Sequence, residues 1–223
     1  DWIRSITERI RKVGEKLKRE PAIMMDVKGP EIRTGYLHQE LDLKKDDLLD
    51  LIFIAQPSPP SSDGIWQIEV NYDKLPEHIK SGDTVLLDNG LIPLAVLESS
   101  PQQIRCQVQQ DATLKSRRHV NLPGIETGLP SLTEKDRRDS MVGIECSHDY
   151  FALSFTRDAD SIDLFRSFLR EHGSGAQIIA KIEDRKGVRN IEEIIKASDA
   201  IMVARGDLGI ECAFEDLPII QRK

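Results

Sequence analysis

The chain has 223 residues, a formal net charge of -7 and a hydrophobic fraction of 39%, which suits one large domain or a domain with an insert. It contains no run of about 18 apolar residues, which excludes a membrane span, and it lacks the long basic stripe that a nucleic-acid partner requires. Its three cysteines are widely spaced and odd in number, which argues against a disulfide framework and predicts a reducing, cytoplasmic location.

Apolar residues near the N-terminus recur at steps of three and four, which predicts an amphipathic helix with Arg11 on its solvent side. Pro21 should end this helix. The apolar run 22–25 then predicts a buried strand that leads into the segment Asp26-Val27-Lys28-Gly29-Pro30. In barrel enzymes, charged residues at the carboxyl end of a strand carry the chemistry. The apolar stripe of the helix consists of Ile3, Ile6, Ile10, Val13 and Leu17.

Residues 33–122 show short alternating runs separated by turn residues, with no helical period of useful length. This pattern predicts a small all-β domain inserted into the rest of the chain. Within it, Asp88-Asn89-Gly90 predicts a turn, and the segment 56–64, rich in proline and serine, predicts a mobile loop. We therefore expect three parts, with bounds 1–32, 33–122 and 123–223.

Strands and helices alternate after Pro130. Thr133 and Asp136 have the spacing of a capping box, which predicts the start of a helix. Strands and helices that alternate with short links predict a parallel sheet. We count four such strands, whereas a closed barrel needs eight. The predicted fold class is therefore α/β, an incomplete (β/α)8 TIM-type barrel interrupted by a small all-β domain. The strands are expected near residue 23 and at 150–155, 177–183 and 200–204, with helical stripes at 162–169 and 188–195.

Lys181 and Glu183 lie at the carboxyl end of the predicted strand 177–183. Because they are two residues apart on a strand, their side chains point to the same side. A surface salt bridge is the simpler interpretation of such a pair. An apolar strand that carries the pair to its exit, where loops build active sites, favours a functional interpretation.

Asp207 follows the next apolar strand in the segment Ala204-Arg205-Gly206-Asp207-Leu208-Gly209. Gly206 and Gly209 would let the backbone approach a ligand and present N–H groups to an anion. Asp207 could simply cap a helix. Together with Glu183 from the neighbouring strand, however, it offers two hard oxygen ligands, the number of carboxylates that Mg²⁺ commonly takes from a protein.

Four motifs of the chain resemble those of the pyruvate kinase family in residue type, order and spacing. The segment 26–35 (Asp-Val-Lys-Gly-Pro-Glu-Ile-Arg-Thr-Gly) is similar to the segment at which that family's chain enters its inserted B domain. In the family this domain forms a lid. The segments 121–124 and 129–136 are similar to the exit from it. The segments 180–183 and 201–209 are similar to the catalytic core. The resemblance covers essentially the whole chain.

The resemblance implies transfer of a phosphoryl group from phosphoenolpyruvate to ADP, giving pyruvate and ATP, by a cytoplasmic glycolytic enzyme that is usually a tetramer. It implies that Glu183 and Asp207 bind Mg²⁺ (or Mn²⁺). Lys181 would act as a catalytic and substrate-binding residue by stabilising the charge of the moving phosphoryl group and of the enolate. The other substrate-binding residues that it implies are Ala204, Arg205, Gly206 and Asp207.

The resemblance also implies residues for the nucleotide and for a monovalent cation. Arg33 and Lys135 would bind the nucleotide and face the phosphates of substrate and nucleotide, and Arg33 would also be a catalytic residue. Asp26 and the backbone carbonyl of Val27 would form part of a K⁺ site, and Glu31 matches family members that depend on K⁺.

Several positions depart from the family pattern. Val27 stands where threonine is usual, and Asn89 stands where a second aspartate usually follows Asp88. Further cation ligands are expected before Asp1, and further barrel strands after Lys223. We therefore expect the chain to be a segment without useful turnover of its own.

Two alternatives remain at this point. One is a related Mg²⁺-dependent barrel enzyme that makes or breaks carbon–carbon bonds in pyruvate or phosphoenolpyruvate, although the inserted all-β domain argues against it. The other is a non-catalytic relative that acts as a binding module.

Overall fold

The structure, a computed structural model, describes residues 2–53 and 64–223. The chain divides into two compact units, one comprising Asp1–Pro30 with Leu129–Lys223 and the other Glu31–Gly128. The boundaries expected from the sequence, after residues 32 and 122, both fall inside the second unit. Backbone pairing explains the first difference, because the N–H of Val120 donates to the carbonyl of Ile32 at 2.9 Å and so draws Ile32 into the β-rich unit.

The first helix, α1 (Trp2–Leu17), confirms the predicted element and part of its predicted faces. Ile3, Ile6 and Ile10 of the apolar stripe are half-buried, and Ile3 packs against the core of this unit. Val13 and Leu17 are exposed, so the stripe is covered only over its first part. Arg11 is exposed as expected, and it also donates to the backbone carbonyls of Cys146 and Ser147 at 2.7 and 2.9 Å. Hydrophobic periodicity does not register such polar contacts.

The first strand, β1 (Met24–Val27), begins two positions later than the apolar run 22–25 predicts and includes Asp26 and Val27. The β-rich unit then contains a six-stranded sheet in the order β4-β3-β7-β6-β5-β9 and a separate β2-β8 pair, which confirms the predicted all-β character. Its strands are β2 (Leu41–Leu43), β3 (Leu48–Ile52), β4 (Trp66–Glu69), β5 (Thr84–Leu87), β6 (Ile92–Ser99), β7 (Gln103–Val108), β8 (Ala112–Leu114) and β9 (Val120–Asn121).

The core of the β-rich unit consists of inward-facing aliphatic residues, beside which lies an ion pair with a buried carboxylate. Leu49 and Ile104 are completely buried. Asp50 accepts two hydrogen bonds of 2.9 Å from the guanidinium of Arg105 on the neighbouring strand. The predicted turn at 88–90 is confirmed by the left-handed backbone of all three residues. The predicted mobile loop at 56–64 lies outside the described residues except for Gly64.

The other unit holds a parallel four-stranded sheet in the order β1-β10-β11-β12, which confirms the predicted α/β class. The single helix expected over 188–195 is two helices that meet at Asn190. The remaining elements are α2 (Glu134–Glu145), β10 (Tyr150–Leu153), α3 (Ala159–Glu171), β11 (Gln177–Ile182), α4 (Arg185–Arg189), α5 (Ile191–Ala197), β12 (Ala200–Val203), α6 (Arg205–Glu211) and α7 (Leu217–Arg222), with short 3₁₀ turns at Leu75–Glu77 and Phe214–Asp216.

The predicted capping box at the start of α2 is present. Thr133 Oγ1 accepts from the N–H of Asp136, and Asp136 Oδ2 accepts from the N–H of Thr133. The other carboxylate oxygen of Asp136 accepts from the N–H of Gly29 at 3.1 Å. A local helix cap therefore also holds the turn that follows β1.

Aromatic packing against the sheet fills the core of this unit. Phe165 of α3 packs edge-on against Phe151 of β10, with ring centroids 5.6 Å apart, and both are completely buried. Gly143 lets α2 approach the sheet, since a Cβ there would lie 2.7 Å from Met25 Sδ. The predicted α3 stripe of Ile162, Phe165, Phe168 and Leu169 is buried. Among the described residues, no helix is long and apolar enough to cross a membrane.

Candidate active site

Polar side chains gather at the carboxyl ends of the four parallel strands. Asp26 is near the end of β1, Ser154 follows β10, and Lys181 and Glu183 lie at the end of β11. Asp207 follows β12 by four residues, in the first turn of α6. Because all four strands are parallel and aligned in register, their ends share one edge of the sheet.

The ammonium group of Lys181 has three oxygen partners. Nζ lies 2.9 Å from Glu183 Oε1 and 2.9 Å from Asp26 Oδ1, and it donates to Ser154 Oγ at 2.7 Å. An ammonium group has three N–H donors, so these contacts use all of them. Burial disfavours the charged form, but the hydrogen bonds and charges of Glu183 and Asp26 outweigh it and raise the pKa of Lys181. Lys181 is therefore a fixed, permanent positive charge at this edge.

Glu183 is a buried carboxylate, with 2% of its side chain exposed. Its Oε2 accepts from the backbone N–H of Phe155 at 2.7 Å, while its Oε1 faces Lys181. Burial raises the pKa of Glu183 more than these two partners lower it, and the charge of Asp207 raises it further. The negative charge of Glu183 is thus only partly compensated by protein groups, and a bound cation would stabilise it.

The backbone of Phe155 has the left-handed conformation (φ 51°) that non-glycine residues seldom adopt. This conformation follows the end of β10 and accompanies the N–H hydrogen bond to Glu183. The neighbouring Thr156 holds the turn, because its hydroxyl donates to the carbonyl of Leu153 at 2.8 Å. Gly187 leaves room for this turn, since a Cβ at position 187 would lie 2.8 Å from the carbonyl oxygen of Thr156.

The two residues predicted to bind K⁺ lie in the last two positions of β1. The carboxylate of Asp26 is half-exposed and binds Lys181 through Oδ1. The carbonyl of Val27 accepts from the N–H of Ser154 at 3.0 Å, and a carbonyl oxygen keeps a second lone pair. These oxygens are donors of the kind that K⁺ takes, and they supply part of a coordination shell.

The segment after β12 carries the remaining residues of the predicted substrate site. The N–H of Ala204 donates to the carbonyl of Ile182 at 3.2 Å, and α6 begins at Arg205. Arg205 and Gly206 are exposed, whereas Asp207 is half-buried. Asp207 is close enough to Glu183 for its charge to act on that carboxyl group.

Two further predicted residues have partners of their own. Lys135 is in the first turn of α2, where it pairs with Asp139 one turn further on. Arg33 belongs to the β-rich unit, where its guanidinium contacts Glu31, Arg117 and His119. The structure therefore joins Lys181 to Glu183 and Asp26 and places Asp207 near Glu183.

The carboxylates at this edge of the sheet match the ligands that Mg²⁺ takes from a protein. The described residues contain no cluster of three or more His, Cys, Asp or Glu side chains that could enclose a metal ion by themselves. Mg²⁺ does not need one, because it usually keeps several waters and takes one or two carboxylates together with substrate oxygens. Glu183 and Asp207 supply two carboxylates, and the charge of the buried Glu183 is only partly balanced by protein groups. These residues therefore fit Mg²⁺.

A comparison with known protein families decides the family of the chain. The family model described as "Pyruvate kinase, barrel domain" matches residues 2–223. The chain belongs to the pyruvate kinase family. A pyruvate kinase of Thermotoga maritima is 38% identical over 216 residues, which are 96% of this chain and 45% of the relative.

Two plant proteins are similarly related. Plastidial pyruvate kinase 2 of Arabidopsis thaliana is 38% identical over 91% of the chain and 34% of its own length. A cytosolic pyruvate kinase isozyme of Glycine max is 39% identical over 90% of the chain and 40% of its own length. The chain thus spans between about a third and about half of the length of these pyruvate kinases.

The sequence analysis missed two residues at the carboxyl ends of the parallel strands, Ser154 and Phe155. The available signal for Ser154 was a hydroxyl residue directly after the apolar run 150–153, the same kind of position that singled out Lys181. Nothing local marks Phe155, because a left-handed backbone at an aromatic residue follows from its tertiary contacts.

Proposed function

We propose that the protein containing this chain transfers a phosphoryl group from phosphoenolpyruvate to ADP, with pyruvate and ATP as products. The observation that carries the proposal is the charged Lys181, held by two carboxylates and a hydroxyl at the strand ends. Phosphoryl transfer needs positioning and charge neutralisation more than covalent chemistry, and a preorganised cation supplies both. Membership of the pyruvate kinase family supports the choice of substrates.

Lys181 carries out the main electrostatic role in this proposal. Its ammonium stabilises the negative charge that develops on the moving phosphoryl group and on the enolate left behind. Because Glu183, Asp26 and Ser154 fix Nζ before substrate arrives, little reorganisation is needed during the reaction. Its raised pKa keeps it charged over the whole physiological range.

Glu183 and Asp207 would hold the divalent cation, Mg²⁺ or Mn²⁺. When bound, such an ion would supply neutralisation of the substrate's negative charge. The N–H of Phe155 orients Glu183 by binding Oε2. The backbone around Ala204, Arg205 and Gly206 would bind the substrate carboxylate, as the family resemblance implies.

The remaining roles rest on the same resemblance. Arg33 and Lys135 would contact the phosphates of ADP, and Asp26 with the carbonyl of Val27 would contribute to a K⁺ site. The β-rich unit would be the family's inserted domain. The protein would act in the cytoplasm as a homo-oligomer, for which the widely spaced thiols and the family are the support.

A coupled assay of ATP formation on the full-length protein tests this function. Lys181→Met removes the central charge at similar side-chain length, and we expect kcat/KM to fall by about 10³-fold or more. Lys196→Met is the matched control, because Lys196 is exposed on α5; it should retain full activity. Undiminished ATP formation by a folded Lys181→Met protein would show that the assignment is wrong.

A further inference from the structure

The guanidinium of Arg33 is enclosed by groups of the β-rich unit. Nε donates to Glu31 Oε2 at 2.8 Å, and Nη2 donates to Glu31 Oε1 at 3.3 Å. Nη1 donates to the carbonyl of Arg117 at 2.8 Å, and Nη2 also contacts His119 Nε2. A guanidinium has five N–H donors, so among the described residues one Nη1 N–H remains for a ligand.

The backbone of Arg33 is held as firmly as its side chain. Its N–H donates to Asn71 Oδ1 at 2.7 Å, and its carbonyl accepts from the N–H of Asn71 at 3.1 Å. It forms an antiparallel bridge with His119. The direction of the free N–H therefore depends mainly on the side chains that touch the guanidinium, which are Glu31 and His119.

His119 Nε2 lies between two neighbours with opposite requirements. Arg33 can only donate, so its contact requires a lone pair on Nε2 and therefore a neutral ring. Glu31 Oε1, 3.3 Å away, can only accept when ionised, so pairing with it requires a proton on Nε2. One nitrogen cannot meet both requirements at once. The protonation state of His119 thus decides whether it binds Arg33 or Glu31.

Among the described residues, further charged groups lie on the segment of His119 itself and on the turn after β5. Arg117 and Arg118 precede it, and Arg118 Nη1 is 3.5 Å from Asp88 Oδ1. The N–H of Asp88 donates to the carbonyl of His119 at 3.0 Å. The guanidinium of Arg118 thus has a carboxylate of its own, which leaves Glu31 as the carboxylate that Arg33 and His119 share.

We propose that His119 is a positioning residue for nucleotide binding, acting through Arg33. In its neutral form it accepts from Nη2 and, with Glu31, fixes the guanidinium so that the free N–H of Nη1 is available to a phosphate of ADP. Without an acceptor at this position, Nη2 loses one of its two partners and the guanidinium is less firmly fixed, so ADP binds less well. The inference rests on the proposed function in one respect, the contact between Arg33 and the nucleotide.

Calorimetric titration of the full-length protein with ADP and Mg²⁺ at about pH 8, above the range in which histidine changes charge, tests this inference. His119→Leu removes the acceptor and should weaken ADP binding about three- to tenfold, with kcat changed less than about twofold. His119→Gln keeps an acceptor for Nη2, so its affinity should match the wild type.

His38→Leu is the control for losing an exposed histidine of the same unit; it should keep the wild-type affinity for ADP. Unchanged binding by His119→Leu, or equal losses of affinity in His119→Leu and His119→Gln, would overturn the inference.

Arg33→Met separates this inference from the proposed function. If Arg33→Met weakens ADP binding while His119→Leu does not, Arg33 binds the nucleotide without help from His119, and only the present inference is wrong. If Arg33→Met leaves ADP binding unchanged, the role of Arg33 is wrong and the inference falls with it, whereas ATP formation in the coupled assay still decides the proposed reaction.

Discussion

At the scale of single residues, the chemistry of this protein depends on where one ammonium group is held. Lys181 has two anionic partners and one neutral partner, the hydroxyl of Ser154. The carboxylates keep the ammonium group charged, and the buried Ser154 holds it from a third side. A lysine on a flexible stem loses rotamer entropy when it is ordered, so each of these contacts offsets part of that cost.

Ser154→Ala should destabilise the α/β unit by about 1–2 kcal/mol, because one N–H of the partly buried ammonium of Lys181 loses its partner. The urea midpoint of unfolding of the full-length protein measures this change. Ser140→Ala is the matched control, since the hydroxyl of Ser140 is buried and has no hydrogen-bond partner among the described residues. We expect the control to cost less than about 0.5 kcal/mol. Equal losses for both variants would contradict the role given to Ser154.

At the scale of elements, α1 docks through polar contacts as well as through the first residues of its apolar stripe. Thr7 Oγ1 and His148 Nε2 lie 2.8 Å apart, and both residues are buried. Arg11 binds the carbonyls of Cys146 and Ser147 in the same turn. Burial lowers the pKa of His148, the charge of Arg11 lowers it further, and Asp149 opposes both.

This lowered pKa makes the stability of the α1 contact depend on pH. The unfolded chain binds a proton on His148 more readily than the folded chain, so the contribution is complete above about pH 6.5 and is lost as the pH falls below it. We expect the urea midpoint to decrease from pH 7.5 to pH 5, and His148→Gln to reduce that decrease. His38→Gln, at an exposed position, should keep it. An unchanged pH dependence in His148→Gln would show that other groups cause the loss.

At the scale of the whole molecule, the chain forms two compact units, each with its own core. Phe151 and Phe165 belong to the core of the α/β unit, in which every buried member lies within residues 25–27 or 132–194. Leu49 and Ile104 are completely buried in the β-rich unit. Because each core is built from residues of its own unit, a cavity in one core should destabilise that unit first.

Phe165→Ala should cost about 3–5 kcal/mol and Leu49→Ala about 2–5 kcal/mol, since each leaves a cavity in a packed core. Hydrogen exchange followed by mass spectrometry locates the effect. Phe165→Ala should reduce amide protection mainly in α3, β10 and β11, and Leu49→Ala mainly in β3 and β7. Leu164→Ala is the control for Phe165, because Leu164 is partly exposed on the same helix. Equal loss of protection in both units would show that they unfold together.

Much of this architecture could be predicted because it leaves a local pattern. The capping box of Thr133 and Asp136 and the buried stripe on α3 lie within a few residues of each other, so spacing alone predicts them. The two-residue spacing of Lys181 and Glu183 placed them on one side of a strand, and the structure brings them together at 2.9 Å. The order of motifs identified the pyruvate kinase family, which the comparisons confirm.

The class of fold, the family and the charged strand ends could thus be predicted, because all of them depend on neighbours along the chain. Partners that are distant in sequence became visible only in the folded protein. Ser154 meets Lys181 across 27 positions, and His119 meets Arg33 across 86. Such contacts leave no period in the sequence, because they arise only when parallel strands and paired segments fold side by side.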